Sequence, residues 1–565
     1  MANSKIFWPI YVTVVLACIT LFSFLYKSFI FVTRDPLQEV YKPPLEQIVQ
    51  HGSVEDRVER QIPDLTVNIE SIALVHTPST YDFVHKVYTI DNKVVTNFER
   101  EHLVSFGAPF YYSSIEGITC FRGNNFNNNA AYGLVEIETG ELEVLWSTNI
   151  GSIGDWTGVG WNGQPLIVKW EADDLKGQNF KEEYKNRDSL VEVIYGTLDG
   201  KVYFLDYETG EYTRTGTINI GAPIKGTVTL DPRGYPVLFV GQGDNLNGET
   251  YIPFKYRIYS LVDFTLLYTI DMVDSVADRT WAASDSTVKI DAASDTAFIC
   301  GENGLIYSLR LNSNFDQENY KISIKPELYK YYYKPLISGT VGIEATPAFY
   351  KNYMFVQDNN GTLQCIDINT LEPLWVMDLT DDSDGAIVLE VESDNSLALY
   401  TACGVDKQDK DGYSIIRKID AMTGEVLWVK YVYCSLDKAV TGGTLATPLV
   451  GKCNMDKYVY FSVARTDGSY RGRLYCMDKQ TGAVVWTKNM PYYCWSSPTA
   501  VYTEDGKGYI IQCDSMGYMY LFDGETGETL YKLNLEANVE GSPTVFNNTI
   551  VVGTRGQKIY GVLIK

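Results

Sequence analysis

The sequence predicts an all-β fold, an eight-bladed β-propeller, on three recurring observations. A turn followed by an aromatic four residues later repeats as Gly424-Glu425-Val426-Leu427-Trp428, Gly482-Ala483-Val484-Val485-Trp486 and Gly527-Glu528-Thr529-Leu530-Tyr531. Leu371-Glu372-Pro373-Leu374-Trp375 keeps the spacing without the Gly. A second mark, Ser or Thr before Pro, recurs at Pro347, Pro448, Pro498 and Pro543, with spacings of 101, 50 and 45 residues. Between the marks, segments such as Arg473-Leu474-Tyr475-Cys476-Met477-Asp478 alternate with the period of two that strands require. Self-similarity at 45 to 58 residues, built from short strands, is the signature of a propeller.

Each element follows from this phase. Pro at the start of a strand keeps its ring off the hydrogen-bond ladder. The strand ending in Asp is turned by Thr-Gly into a last strand carrying Trp or Tyr. Counting the marks places blades near 156–217, 222–272, 279–325, 340–380, 385–431, 441–490 and 495–535. The tail 540–565 supplies only part of an eighth blade. Its missing outer strand lies upstream, in the stretch 132–150 that holds Glu138-Thr139-Gly140-Glu141 and Trp146. Closing the ring with strands from both ends leaves only short protected sheet edges.

The N-terminal part is organised differently. Ile6 to Tyr26 is 21 residues without a charge, about 31 Å as a helix and enough to cross a bilayer core. Residues 1–32 are therefore expected to form an uncleaved transmembrane signal anchor. Residues 33–118, punctuated by Pro36, Pro43, Pro44, Pro63 and Pro78, read as a stalk with an accessory module or as a region capping the propeller. The propeller is expected over 119–565. Lys5 on one side of the apolar run and Lys27 and Arg34 on the other leave its orientation open.

Composition excludes several functions. With 47 Lys and Arg against 71 Asp and Glu, the net charge is −24, which repels nucleic acid. The four histidines, His51, His76, His85 and His102, all precede the repeats. The array therefore holds no Ser-His-Asp site, no Cys-His site and no His-ligated metal of its own. Of the ten cysteines none is adjacent to another and none forms CxxC; those at matching repeat positions, such as Cys365 and Cys476, read as small buried apolar side chains. The acidic loops Asp381 to Gly385 and Asp406 to Gly412 lack the Asp-x-Asp-x-Asp-Gly spacing of a calcium loop and read as solvated turns.

The aspartate, Thr-Gly turn and Trp resemble the pyrroloquinoline-quinone-type (PQQ-like) propeller repeat of bacterial proteins, over roughly residues 119–565. Cys120-Phe121-Arg122-Gly123-Asn124 is similar to an entry segment of such proteins. The resemblance implies that Trp146, Trp375, Trp428 and Trp486 are docking residues wedged between blades. Each ring buries on the order of 200 Å², or about 5 kcal/mol of apolar transfer before entropy. Similar propellers include quinoprotein dehydrogenases and the non-enzymatic scaffold lipoprotein of outer-membrane protein assembly, and this chain resembles the latter more. Relatives with a membrane segment are exported, which implies a propeller outside the cytoplasm. A quinone dehydrogenase of the family uses Ca²⁺, a catalytic Asp and often a vicinal disulfide; the adjacent Cys pair is absent here, and no Asp stands in a recognisable catalytic context. Neither quinone nor calcium is expected, and no catalytic or metal residue is assigned.

The repeat phase points instead to the rim of the central channel, two residues before the Ser or Thr of each mark. These positions are Glu344, Leu445, Trp495 and Glu540, with Lys225, Arg279 and Trp156 added by weaker alignment. Carboxylates, cations and Trp on one rim make a candidate ligand pocket. The expected function is a membrane-anchored, non-catalytic propeller that binds or scaffolds a cell-envelope protein or a small ligand. The alternatives are a PQQ- and calcium-dependent dehydrogenase and a carbohydrate-binding surface protein that uses its 42 Tyr and 10 Trp.

Overall fold

The computed structural model describes residues 74–565 apart from 162, 337, 338, 409, 410, 438 and 439. The expected anchor over 1–32 and the stalk up to residue 73 lie outside the described residues. Among the described residues no helix is long and apolar enough to cross a membrane.

Eight antiparallel sheets follow one another along the chain as blades. The seventh shows the plan: Thr499–Tyr502, Gly508–Cys513, Tyr518–Asp523 and Thr529–Asn534, each paired with the next. The first strand, next to the channel, is short and buried, and the last is half exposed. That gradient is why the inner strands are apolar throughout and the outer ones alternate. Among the described residues helix is confined to short turns, the longest being Ala172–Gly177 in the first blade.

The ring closes as the missing-strand count predicts. Lys558–Ile564 pairs antiparallel with Leu142–Asn149, which forms the outer strand of the eighth blade. Two further blades are extended by the N-terminal region. Gly117–Ile118 pairs with Leu166–Glu171 in the first blade. His85–Thr89, with Val94–Val95 beyond it, pairs with Glu327–Tyr333 on the outer edge of the third. Residues 74–118 thus pack along the propeller, with backbone bonds to Thr423, Val376 and Pro232.

Neighbouring blades are joined in two registers. On the outside, each docking indole N–H donates to a backbone carbonyl in the next blade's turn: Trp146 to Tyr207 at 2.8 Å, Trp375 to Ala421 at 3.0 Å, Trp428 to Lys479 at 2.9 Å and Trp486 to Glu525 at 2.8 Å. The indole thereby satisfies its polar edge while its face fills the inter-blade core, as where Trp375 packs with Phe355, Ile387 and Leu389. On the inside, the hydroxyl of the Ser/Thr-Pro mark accepts the preceding blade's backbone N–H. Thr346 takes that of Thr287, Thr447 that of Ala386, Ser497 that of Thr447, and Ser542 that of Ser497, all at 3.0–3.1 Å. The mark is therefore a hydrogen-bonded clasp, which is why it needs a hydroxyl and not merely a small residue.

One end of the channel is sealed. Residues 120–129 cross it, almost wholly buried. Arg122 donates to the carbonyl of Pro498 in the seventh blade, Asn125 to Phe349 in the fourth, Asn127 to Ile387 and Asn128 to Leu389 in the fifth. Short amides at these positions satisfy the inner-strand carbonyls that a four-stranded blade leaves without a partner.

One expectation is corrected. The loop Asp381 to Gly385 is not a solvated turn: Asp381 is buried, and its carboxylate accepts the backbone N–H groups of Asp406 and Lys407 at 3.1–3.2 Å. The two acidic loops are one packed unit. The nine described cysteines are all buried, as expected of small apolar side chains.

Candidate functional site at the channel mouth

The unsealed end of the channel carries the candidate site. Phe121 of the plug forms its floor, and Thr227, Thr287, Thr346, Ala386 and Thr447 of the second to sixth blades form its wall. The cavity measures about 40 Å³, room for one or a few waters or an ion. It is far below the roughly 300–1,000 Å³ of sites that enclose a small organic molecule.

Lys225 occupies the centre of the mouth. Its Nζ lies 4.7 Å from the ring centroids of both Trp156 and Trp161 and 6.0 Å from that of Trp281. Trp156 is held by donating its indole N–H to Asp244 at 3.0 Å. Trp161 has a left-handed backbone, φ 59°, a strained state for a bulky residue. From there its backbone N–H reaches Glu540 and its indole N–H reaches Glu344, both at 3.4 Å, and its ring meets Trp495 edge-on at 6.2 Å. Arg555 pairs with Glu540 at 3.5 Å and lies 5.7 Å from the Trp156 ring.

Carboxylates gather on the other side. Asp285 stands 3.9 Å from Lys225. Glu302 accepts the indole N–H of Trp281 at 2.7 Å and lies 3.9 Å from Arg279. Asp285, Glu302 and Glu344 each bring an oxygen within 4.8 Å of the others. Burial is the first cause of the raised pKa values of Asp285 and Glu302. It pushes Asp285 up to about 7 against the pull of Lys225, with Glu344 and Asp244 adding to the rise. Burial and the charges of Glu344 and Asp285 push Glu302 well above the usual carboxylate range. Asp384 and Asp382 are raised in the same way, by burial first, then for Asp384 by Glu344 and for Asp382 by Asp384.

The structure thus brings Trp156, Lys225, Arg279, Glu344, Trp495 and Glu540 to one mouth. Leu445, in the same register, is buried at the sixth blade. Trp146, Trp375, Trp428 and Trp486 stand apart, between blades at the periphery. Sequence reasoning misses Asp285 and Asp384, although both lie two residues before a clasp position, Thr287 and Ala386. Neither position precedes a Pro, and at Ala386 the hydroxyl is gone too. Glu302 and Arg555 come from the turns after the second strands of their blades, a register with no fixed residue. Nothing in the sequence marks Trp161 or Trp281.

Residues 470–564 match the PQQ_2 family model, Outer membrane protein assembly factor BamB. The repeats are PQQ-like. These PQQ-like repeats are shared with curated proteins of different activity. The dehydrogenase subunit of the quinone alcohol dehydrogenase of Gluconacetobacter polyoxogenes is 27% identical over 157 residues, covering 25% of this chain and 20% of that protein. The outer membrane protein assembly factor BamB of Kangiella koreensis is 22% identical over 197 residues, 35% of this chain and 44% of that protein. The chain therefore spans a minor part of the curated relatives it matches. Among solved structures, BamB from Moraxella catarrhalis aligns over 75% of this chain and 98% of its own, at 15% identity and a TM-score of 0.43.

Proposed function

We propose that this chain is a non-catalytic, membrane-anchored propeller outside the cytoplasm that binds or scaffolds other molecules at the cell envelope. The observation that carries this reading is the filled mouth: Trp156 and Trp161 pack against Lys225, and the cavity that Trp161 lines measures about 40 Å³. A tricyclic quinone needs a slot several times larger, so the residues present do not fit that cofactor, and no step is routed through it. The match of residues 470–564 to an outer membrane assembly factor supports the envelope setting and a protein partner. The apolar run from Ile6 to Tyr26 supports the anchor. The long outer strand Val426–Ser435 supports a docking role, since Tyr431 and Tyr433 project from it beside an exposed Tyr413. Aromatic side chains on an edge strand suit recognition by strand addition or ring contact.

The test is reconstitution of the detergent-solubilised full chain with pyrroloquinoline quinone and Ca²⁺. No bound quinone absorbance and no dye reduction with alcohols are expected, while crosslinking in native membranes captures a stoichiometric protein. Stoichiometric quinone binding with dye reduction sinks the reading in favour of a dehydrogenase.

A further inference from the structure

Among the described residues Asp285 is the one carboxylate with both oxygens buried and without a hydrogen-bond partner. Its side chain is 4% exposed. Lys225, 3.9 Å away, lies beyond hydrogen-bond reach and is held by the faces of Trp156 and Trp161. A buried acid with both oxygens unsatisfied costs on the order of a few kcal/mol. It persists only if something compensates it, and it lines the cavity at the centre of the mouth.

What faces it defines the missing partner. Glu302 and Glu344 each bring an oxygen within 4.8 Å of Asp285 and of one another. Each glutamate is oriented by an indole N–H, Trp281 for Glu302 and Trp161 for Glu344, the kind of outer support that fixes metal ligands. A point within about 2.8 Å of all three oxygens therefore exists, close to the roughly 2.3–2.6 Å of calcium–oxygen bonds, and a calcium shell accepts irregular donor positions that the strict octahedron of magnesium does not. The all-oxygen donor set suits a hard cation and not a soft one. Thr287 and Thr346 line the same cavity, which leaves room for water to complete a coordination number of six to eight.

We propose that Asp285, Glu302 and Glu344 bind one calcium-sized hard cation at the channel mouth, without any quinone. The ion neutralises the acidic cluster and fixes Trp161 through Glu344, so it sets the shape of the surface that the mouth presents. The site stands whether or not the propeller is a scaffold.

The experiment uses terbium, a calcium-sized luminescent ion, titrated into the chelator-treated full chain with excitation through Trp. Sensitised emission saturating at about one ion per chain is expected, displaced by Ca²⁺ and not by equal Mg²⁺. Glu302→Gln and Asp285→Asn each weaken Ca²⁺ competition about tenfold or more, at unchanged or raised melting temperature, since they remove repulsion. Trp161→Phe lowers the emission and also weakens calorimetric Ca²⁺ affinity, because Glu344 loses the indole N–H that orients it. Absence of saturable binding by the wild-type chain overturns the proposal. So does binding that survives the Glu302→Gln, Asp285→Asn double variant, which places the ion elsewhere on the acidic surface.

Discussion

Trp428 and Gly482 meet face to face across two blades: a Cβ on Gly482 would stand 2.7 Å from the indole, whose N–H donates at 2.9 Å to the carbonyl of Lys479. Gly482 also holds φ +68°, which Cβ-bearing residues rarely adopt. Gly482→Ala is therefore expected to cost about 1–3 kcal/mol, read as a lowered denaturant midpoint. Trp428→Phe, which keeps apolar area and loses the hydrogen bond, costs less than Trp428→Ala, for which about 3–5 kcal/mol is expected.

Ring closure depends on a similar contact. Gly561 lies under Trp146, where a Cβ would come within 2.2 Å of the ring, on the strand pair that joins the two ends of the propeller. Gly561→Val is expected to open this seam. Hydrogen exchange should then rise first over residues 142–149 and 558–564, before the seventh blade is affected. Uniform exchange across all blades would contradict a localised seam.

The first blade contains a wholly buried ion pair. Arg214 donates to Glu192 at 2.9 and 2.7 Å with both side chains at 0% exposure, and Trp170 adds its indole N–H at 2.8 Å. Glu192→Gln leaves the guanidinium uncompensated and is expected to lose about 3–5 kcal/mol. Replacing both partners together by Leu and Met costs much less than the single change. Equal losses would mean that packing, not charge, holds the site.

The channel mouth makes stability depend on pH. Asp285 faces Lys225, Glu344, Asp244 and Glu302, and burial raises it to about 7. A carboxyl raised on folding binds its proton more tightly in the native state than in the unfolded chain. Its contribution is whole below about pH 4 and is lost as pH rises through about 7. In chelator, the melting temperature is expected to fall between pH 5 and 8. Asp285→Asn flattens that fall, and added Ca²⁺ restores the loss at pH 8.

The sequence made the periphery more legible than the centre. The docking Trp and the Ser/Thr-Pro clasp repeat because each blade solves the same packing problem, so periodicity exposes them. The mouth is assembled from positions that differ in every blade. Glu344, Trp495 and Glu540 were reachable by counting back from a clasp. Asp285 was hidden because its clasp, Thr287, lacks the Pro that sets the phase. Glu302, Trp161 and Trp281 sit in turns whose reach depends on three-dimensional approach, and no spacing encodes that.

The sealed end of the channel gives the molecule a direction. With residues 120–129 bonded across the fourth, fifth and seventh blades, the propeller is a cup and not a pipe. Asp285 and Trp161 line one cavity with Phe121 of that plug, so a ligand there would meet a floor that an open ring lacks.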